Sequence, residues 1–396
     1  MMEEIKKTVV LYPFEKPRHS LYTPVIEFLK ERYNIIYNPT NKRGDITPWF
    51  RFTKWYPARW TYHKFIRPIL SYNEVKASFK KPQQLNKDYD LIYSVAKVPN
   101  LDKPYIIDFE KINNIADHAY DRIDKEFLES EFSKPNCKAI IPWYDIAERS
   151  LRETIDCSNF SHKIKTIPFG IKSDKIEKRY DKNNIEILFV SSRNNPLDFE
   201  FKGGIITLEV YKKLAEKYNN ISLTVRAHIP NWVKKKYGDL PRIKFIDSFM
   251  ERKDLSALMI SSDLLIQPKL GTQLALESMN FAIPAITFDE WEMPEMIINR
   301  FNGFNVDCSH IYGPKKTKEE FQKYLKNFHL NYLKMYNKNP PKKIIQDFID
   351  KASILIEDKE LRKKMSINAK SLIEPGGRYN FDKMKKELLE VFERSF

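Results

Sequence analysis

The chain has 396 residues, 42% of them hydrophobic, enough for two or three domains with sizeable cores. Its 68 lysines and arginines against 53 acidic residues leave a formal charge of +15. That charge suits nucleic acid, an anionic membrane, anionic ligands or plain lysine-rich composition equally, and does not choose among them. Three cysteines (Cys137, Cys157, Cys308) show no metal-ligand spacing, and so odd and sparse a count argues against a disulfide framework and for a reducing compartment. The N-terminus carries two early glutamates and a short apolar run, unlike a signal peptide. No segment approaches the roughly 18 apolar residues of a membrane span. The expectation is a cytoplasmic protein, soluble or peripherally bound at the inner membrane face.

Short apolar runs at 9–12, 35–37, 91–95, 105–107, 139–141 and 164–167 read as strands. Helical periodicity at 23–32 and 144–154 falls between them. Strands alternating with helices predict a parallel sheet covered on both faces. Residues 172–184 are charged and poor in apolar side chains, and read as a linker. The alternation then restarts with strands at 185–190, 221–225, 243–246, 264–266 and 285–288. The fold class expected is therefore α/β, with two Rossmann-like domains facing a cleft. The first spans residues 1–171 and the second 185–376. Residues 377–396 carry a last amphipathic helix, with Met384, Leu388, Leu389, Val391 and Phe392 on one stripe, that crosses back to the first domain.

Two segments depart from this plan. Residues 46–73 contain no acid but hold Arg51, Lys54, Arg59, Lys64, Arg67 and three of the six tryptophans, Trp49, Trp55 and Trp60. Such a mixture suits an anionic membrane surface, single-stranded nucleic acid, or a loop packed on its own domain. Residues 312–351 form a lysine-rich helical pattern, read as an insertion with a solvated outer face.

Residues 264–306 hold the densest signal. A strand ends at Pro268, and Gly271-Thr272 opens a helix carrying Glu277. A second strand at 285–288 leads to a loop with Glu295 and to Asn302-Gly303. A strand, a glycine turn and a helix N-terminus make a site for a phosphate-bearing ligand, and a carboxylate on that helix can bond ribose hydroxyls. Earlier in the same half, Arg193 follows a strand and Lys202 precedes Gly203-Gly204 at a helix start. Arginine offers a bidentate clamp and lysine a point charge for a diphosphate.

The order FVSSR, FKGG, SLTVRAHIP, IKFIDSF, LLIQP, LALESMNFAIPAITF and PEMIINRFNGFNV resembles the donor-binding half of family-four glycosyltransferases, retaining enzymes of the GT-B fold. IPFGI at 167–171 is similar to their motif just before the domain linker. The resemblance is clear over 164–306 and consistent in order elsewhere. It implies a glycosyltransferase of the hexosyltransferase type (EC 2.4), moving a sugar from a nucleotide-diphosphate donor to a glycan or lipid-linked acceptor. It also implies retention of configuration, no metal and no other cofactor. Arg193 and Lys202 match the pair that neutralises the donor diphosphate. Glu277 matches the glutamate that bonds the donor ribose. Gly271, Thr272, Gln273 and Leu274 match the turn whose amides hold the phosphates. Glu295 matches a loop glutamate that is either functional or structural.

The chain also departs from that pattern. Lys269 stands where a sugar-contacting glutamate belongs; it meets either an anionic sugar such as a uronic acid or solvent. Arg226-Ala227-His228 replaces a glycine-rich strand end, so His228 either faces the nucleotide or caps a buried turn. The first half lacks the expected histidine after 103–107; Asp108 or Glu110 is its candidate replacement as an acceptor-orienting base, ahead of His118. In place of a glycine-bearing loop stands 13–19. The rival function is a catalytically silent GT-B protein that binds glycan or nucleotide. No helix-turn-helix, zinc or RNP-type motif supports a nucleic-acid partner.

Overall fold

The structure, a computed structural model, describes residues 6–12, 21–37, 88–99, 101–116, 120–193, 197–334 and 339–396. The aromatic and basic segment 46–73, residues 13–19 and His118 lie outside the described residues. The chain divides into two compact units. The first comprises Met1–Phe169, Lys315–His329 and Asp382–Phe396; the second comprises Gly170–Pro314 and Leu330–Phe381.

The first unit holds strands β1 (Thr8–Tyr12), β2 (Asn34–Tyr37), β3 (Leu91–Val95), β4 (Tyr105–Phe109) and β5 (Cys137–Pro142) in one parallel sheet of order β2-β1-β3-β4-β5. The central strands are buried on both faces, which is why they read as continuous apolar runs rather than alternating ones. The helix Tyr22–Arg32 buries Tyr22, Val25, Ile26, Phe28 and Leu29 at helical spacing. Residues 164–167 are not a strand. Ile164 makes one isolated bridge to Ile140, the backbone of Lys165 and Ile167 bonds to β5, and Pro168, which has no N–H to extend a ladder, follows.

The last helix, Phe381–Ser395, supplies residues of the first unit from Asp382 onward. Phe392 stacks on Tyr33 and meets Tyr93 edge-on, and Glu393 accepts from Arg32 at 2.8 Å. The helical pattern expected over 312–351 is present as the helices Lys318–Lys334 and Lys342–Glu357, but one stripe of each is buried and the run is not simply a solvated face. Phe321, Tyr324 and Leu325 are buried in the first unit, where Asn113 donates to the Leu325 carbonyl at 2.9 Å. Ile344, Phe348, Ala352 and Leu355 are buried in the second. Each large apolar side chain among them contributes about 1.5–3 kcal/mol by leaving water, which outweighs the charged appearance of the run.

The second unit holds β6 (Ile185–Val190), β7 (Ile221–Arg226), β8 (Ile243–Ile246), β9 (Leu264–Ile266), β10 (Ala285–Phe288) and β11 (Gly303–Val306), all parallel, in the order β11-β10-β9-β6-β7-β8. β11 is not among the expected strands: it has four residues with an asparagine inside. The segment 172–184 carries no helix or strand and belongs to this unit. Lys178 Nζ donates to the carbonyls of Ser262, Ala282 and Phe281 at 2.6, 2.8 and 3.1 Å, and Lys182 to that of Ser261 at 2.5 Å. Among the described residues no helix is long and apolar enough to cross a membrane.

Candidate functional site

In an open parallel sheet the crevice outside the carboxyl ends of the strands, where the strand order reverses, is the usual ligand site. In the second unit the chain runs from β6 outward to β7 and β8, then returns to lay β9 on the other side of β6. The reversal therefore falls between β6 and β9.

The loops after these two strands are joined. The short helix Asp198–Phe201 leads from β6 to Lys202, whose carbonyl accepts from the Lys269 backbone at 3.2 Å. Gly203 takes the left-handed conformation, φ +84°, and a Cβ there would lie 2.6 Å from the Pro268 ring. Glycine is thus required twice over, by the backbone angle and by the packing. The turn aims Lys202 at the loop after β9. Its ammonium lies 3.2 Å from where a Cβ on Gly271 would stand.

Gly271 is the N-cap of the helix Thr272–Asn280 and provides no capping side chain. The first-turn amides of Thr272, Gln273 and Leu274 carry the positive end of that helix. Lys202 and this helix end together form a compact positive centre at the switch point.

Three polar atoms at the same strand ends are buried without a hydrogen-bond partner among the described residues: Ser191 Oγ after β6, Arg226 Nε at the end of β7, and Gln267 Nε2 after β9. Gln267 is fully buried and its other amide atom, Oε1, accepts from Val190 N at 3.1 Å. A buried polar group without a partner costs about 1–3 kcal/mol; these three lie at the carboxyl ends of neighbouring strands, where Arg226 also donates through a terminal guanidinium nitrogen to the Ser191 carbonyl at 3.0 Å. Ser191 and Gln267 escape sequence reading; the one sequence signal is a glutamine closing the apolar run Leu264-Leu265-Ile266.

The remaining expected residues divide into two groups. Glu277, 13% exposed at its side chain, accepts from Arg252 at 2.7 Å and from Gln273 at 3.4 Å. Arg252 opens the helix Arg252–Ser261 after β8; within the run Glu251-Arg252-Lys253-Asp254 nothing sets it apart from a solvated cation. Lys269 is neither a surface lysine nor an open cation. Its ammonium lies 2.5 Å from Glu290 and 3.4 Å from the Tyr312 hydroxyl, with the lysine and glutamate side chains 11% and 7% exposed. Nearby on the same loop, buried Glu292 accepts from the Thr272 hydroxyl at 2.7 Å.

Arg193 is exposed, and its Nε donates at 2.9 Å to the Asp247 carbonyl beyond β8. That contact holds it toward the β8 flank of the sheet, whereas Lys202 is aimed at the loop after β9. His228 Nδ1 stands 4.0 Å from an Asp247 carboxylate oxygen, the other oxygen of which accepts from Lys234 at 2.8 Å. Glu295 accepts from Arg378 at 3.3 Å, and its carbonyl accepts from the Tyr379 hydroxyl at 3.0 Å. Glu295 therefore ties the loop after β10 to residues 378–379.

In the first unit Asp108 lies near the end of β4 and Glu110 directly follows that strand. Asp108 is buried; both its oxygens accept from the Tyr22 hydroxyl at 2.9 Å, and one from that of Tyr93 at 2.5 Å. Burial pushes the Asp108 carboxyl up to about 7, against the lowering pull of the Tyr93 and Tyr22 hydroxyls. Glu110 is half-buried and pairs with the Lys111 ammonium.

No protein-family model matches this chain, and no curated protein matches it in sequence. Solved structures match it in fold. HepE of Anabaena, in complex with UDP and glucose, has a TM-score of 0.54 at 12% identity, covering 98% of this chain and 99% of that one. Sucrose-phosphate synthase from Thermosynechococcus elongatus has a TM-score of 0.57 at 9% identity, covering 98% of both. A glycosyltransferase from Rickettsia africae has a TM-score of 0.54 at 16% identity, again covering 98% of both. At these identities the likeness establishes the fold: two parallel-sheet α/β domains of GT-B type.

Proposed function

We propose that this chain is a glycosyltransferase that takes a sugar from a nucleoside-diphosphate donor. The observation that carries this reading is the meeting of Lys202 with the Thr272–Asn280 helix end at the β6/β9 reversal. A fold neighbour supports it, since HepE was solved with UDP and with UDP-glucose.

In the proposed reaction the bond between the sugar C1 and the β-phosphate oxygen breaks, and its electron pair stays on that oxygen. The acceptor hydroxyl oxygen bonds to C1, and its proton passes to the departing phosphate oxygen and from there to solvent. Lys202 and the first-turn amides of Thr272, Gln273 and Leu274 stabilise the charge that builds on the diphosphate. Glu277 bonds the ribose, and Arg193 approaches the donor from the β8 side. Positive charge supplied this way makes a carboxylate-held metal unnecessary, and metal independence, like retention of configuration, is part of the proposal. So is the acceptor, a glycan or lipid-linked chain at an anionic membrane surface. Within the first unit the acceptor-orienting role falls to Glu110 rather than Asp108, because Asp108 is buried and its oxygens are occupied by tyrosine hydroxyls.

The test is calorimetric titration of the full chain with UDP, GDP and ADP, followed by donor hydrolysis without acceptor for whichever nucleotide binds. Binding with slow hydrolysis supports a transferase. Binding with no turnover under any acceptor favours a silent nucleotide-binding protein. Absence of binding by all three nucleotides sinks the reading.

A further inference from the structure

Glu277 and Lys269 turn toward opposite ends of the second sheet. The partner of Glu277, Arg252, follows β8 at one edge. The partners of Lys269, Glu290 and Tyr312, follow β10 and β11 at the other. Lys202 and Gly271 lie between them, at the β6/β9 reversal. A ligand whose diphosphate sits at that centre and whose ribose meets Glu277 must extend its sugar toward the β10–β11 side.

That side is not a cationic pocket. The Lys269 ammonium is engaged by Glu290 at 2.5 Å, with both side chains largely buried. Such a pair is close to neutral, and its charges cannot reorient toward a new partner without leaving one of them unpaired in a poorly hydrated place. Glu292, also buried, adds a second carboxylate and is held on Thr272 at 2.7 Å. Carboxylates accept hydrogen bonds from sugar hydroxyls, whereas a third carboxylate brought among them is repelled and loses its hydration.

We infer that the donor sugar is uncharged, and that Glu290, by neutralising Lys269, is the residue that selects against a uronic acid donor. This rests on the nucleotide-sugar reading of the site. A lysine at position 269 read alone suggests the opposite preference, and its partner on the next loop reverses it.

The experiment compares affinities of the full chain for UDP-glucose with UDP-glucuronate and for GDP-mannose with GDP-mannuronate, beside UDP and GDP alone. The expected result is that the neutral member of the pair with the accepted base binds at least about tenfold more tightly than its uronate, a difference of about 1.4 kcal/mol. Glu290→Gln leaves Lys269 with an uncharged partner, and the neutral-to-uronate ratio then drops by about tenfold or more. A wild-type protein that binds the uronate as well as the neutral sugar overturns the inference, as does a folded Glu290→Gln variant with an unchanged ratio. If that variant does not fold, the wild-type ratio decides. Failure of UDP and GDP themselves to bind overturns the nucleotide-sugar reading along with the inference, whereas a reversed ratio with intact nucleotide binding overturns the inference alone.

Discussion

The Lys202 ammonium lies 3.2 Å from the position a Gly271 side chain would start to occupy. One belongs to the loop after β6, the other to the loop after β9, and the sheet order makes them neighbours. A side chain at position 271 would crowd the cation against the helix N-terminus.

Lys202→Met should therefore weaken nucleoside-diphosphate binding by about 10- to 100-fold, the size of a hydrogen bond to a charged group. Lys202→Ala should lower turnover by about a hundredfold, as when one oxyanion donor is lost. Titration calorimetry and steady-state kinetics read the two effects. An unchanged affinity removes Lys202 from the site.

Glu277 offers a separate test of orientation. Its loss by Glu277→Ala should lower UDP affinity about tenfold or more, while binding of 2′,3′-dideoxy-UDP, which has no ribose hydroxyls to donate, should not respond. Arg252→Ala should change stability by less than about 1 kcal/mol, because Arg252 is largely exposed. Equal losses for both nucleotides in Glu277→Ala would assign Glu277 to packing instead.

Asp108 ties stability to pH. Its folded-state carboxyl is raised to about 7, with burial the main cause. The unfolded carboxyl ionises near pH 3.9. Between these values the folded state holds a proton that the unfolded state releases, so this group's contribution is full below the lower value and is lost as pH rises toward 7. Wild type should lose stability relative to Asp108→Asn between pH 4 and pH 7, by an amount on the order of a few kcal/mol, and the difference should be flat above about pH 8. Urea unfolding of both proteins across that range checks it; parallel curves would refute it.

Gly203→Ala should destabilise the second unit by about 1–3 kcal/mol, through the left-handed backbone angle and the Cβ placed against Pro268. Chemical unfolding measures the loss. Because the same turn aims Lys202, nucleotide affinity should fall with it; a variant as stable as wild type would show that the turn can rearrange.

Much of the scaffold is legible in the residues alone. β6 to β10 are short apolar runs set between turn and polar segments, and burial on both faces of a parallel sheet leaves that pattern in one dimension. β11 is missed because Gly303-Phe304-Asn305-Val306 has too few apolar residues to stand out, and its place as a strand comes from pairing with β10. The helices within 312–351 are read as helices, but their burial is missed because a high lysine count hides the apolar stripe of Phe321, Tyr324 and Leu325, then Ile344 and Phe348.

The positive centre of the candidate site is also readable as local pattern, since Lys202-Gly203-Gly204 and Gly271-Thr272 each sit at a helix start set by their own backbone. What the chain alone determined is the two-sheet alternation and these helix-start elements. What tertiary structure decided is the partner of each charge: Glu290 for Lys269, Arg252 for Glu277, and two tyrosine hydroxyls for Asp108. Local pattern reports whether a residue is buried or turned, because that depends on near neighbours. Which charge meets which depends on the order in which the strands lie side by side, and that order places loops far apart in the chain at one edge of one sheet.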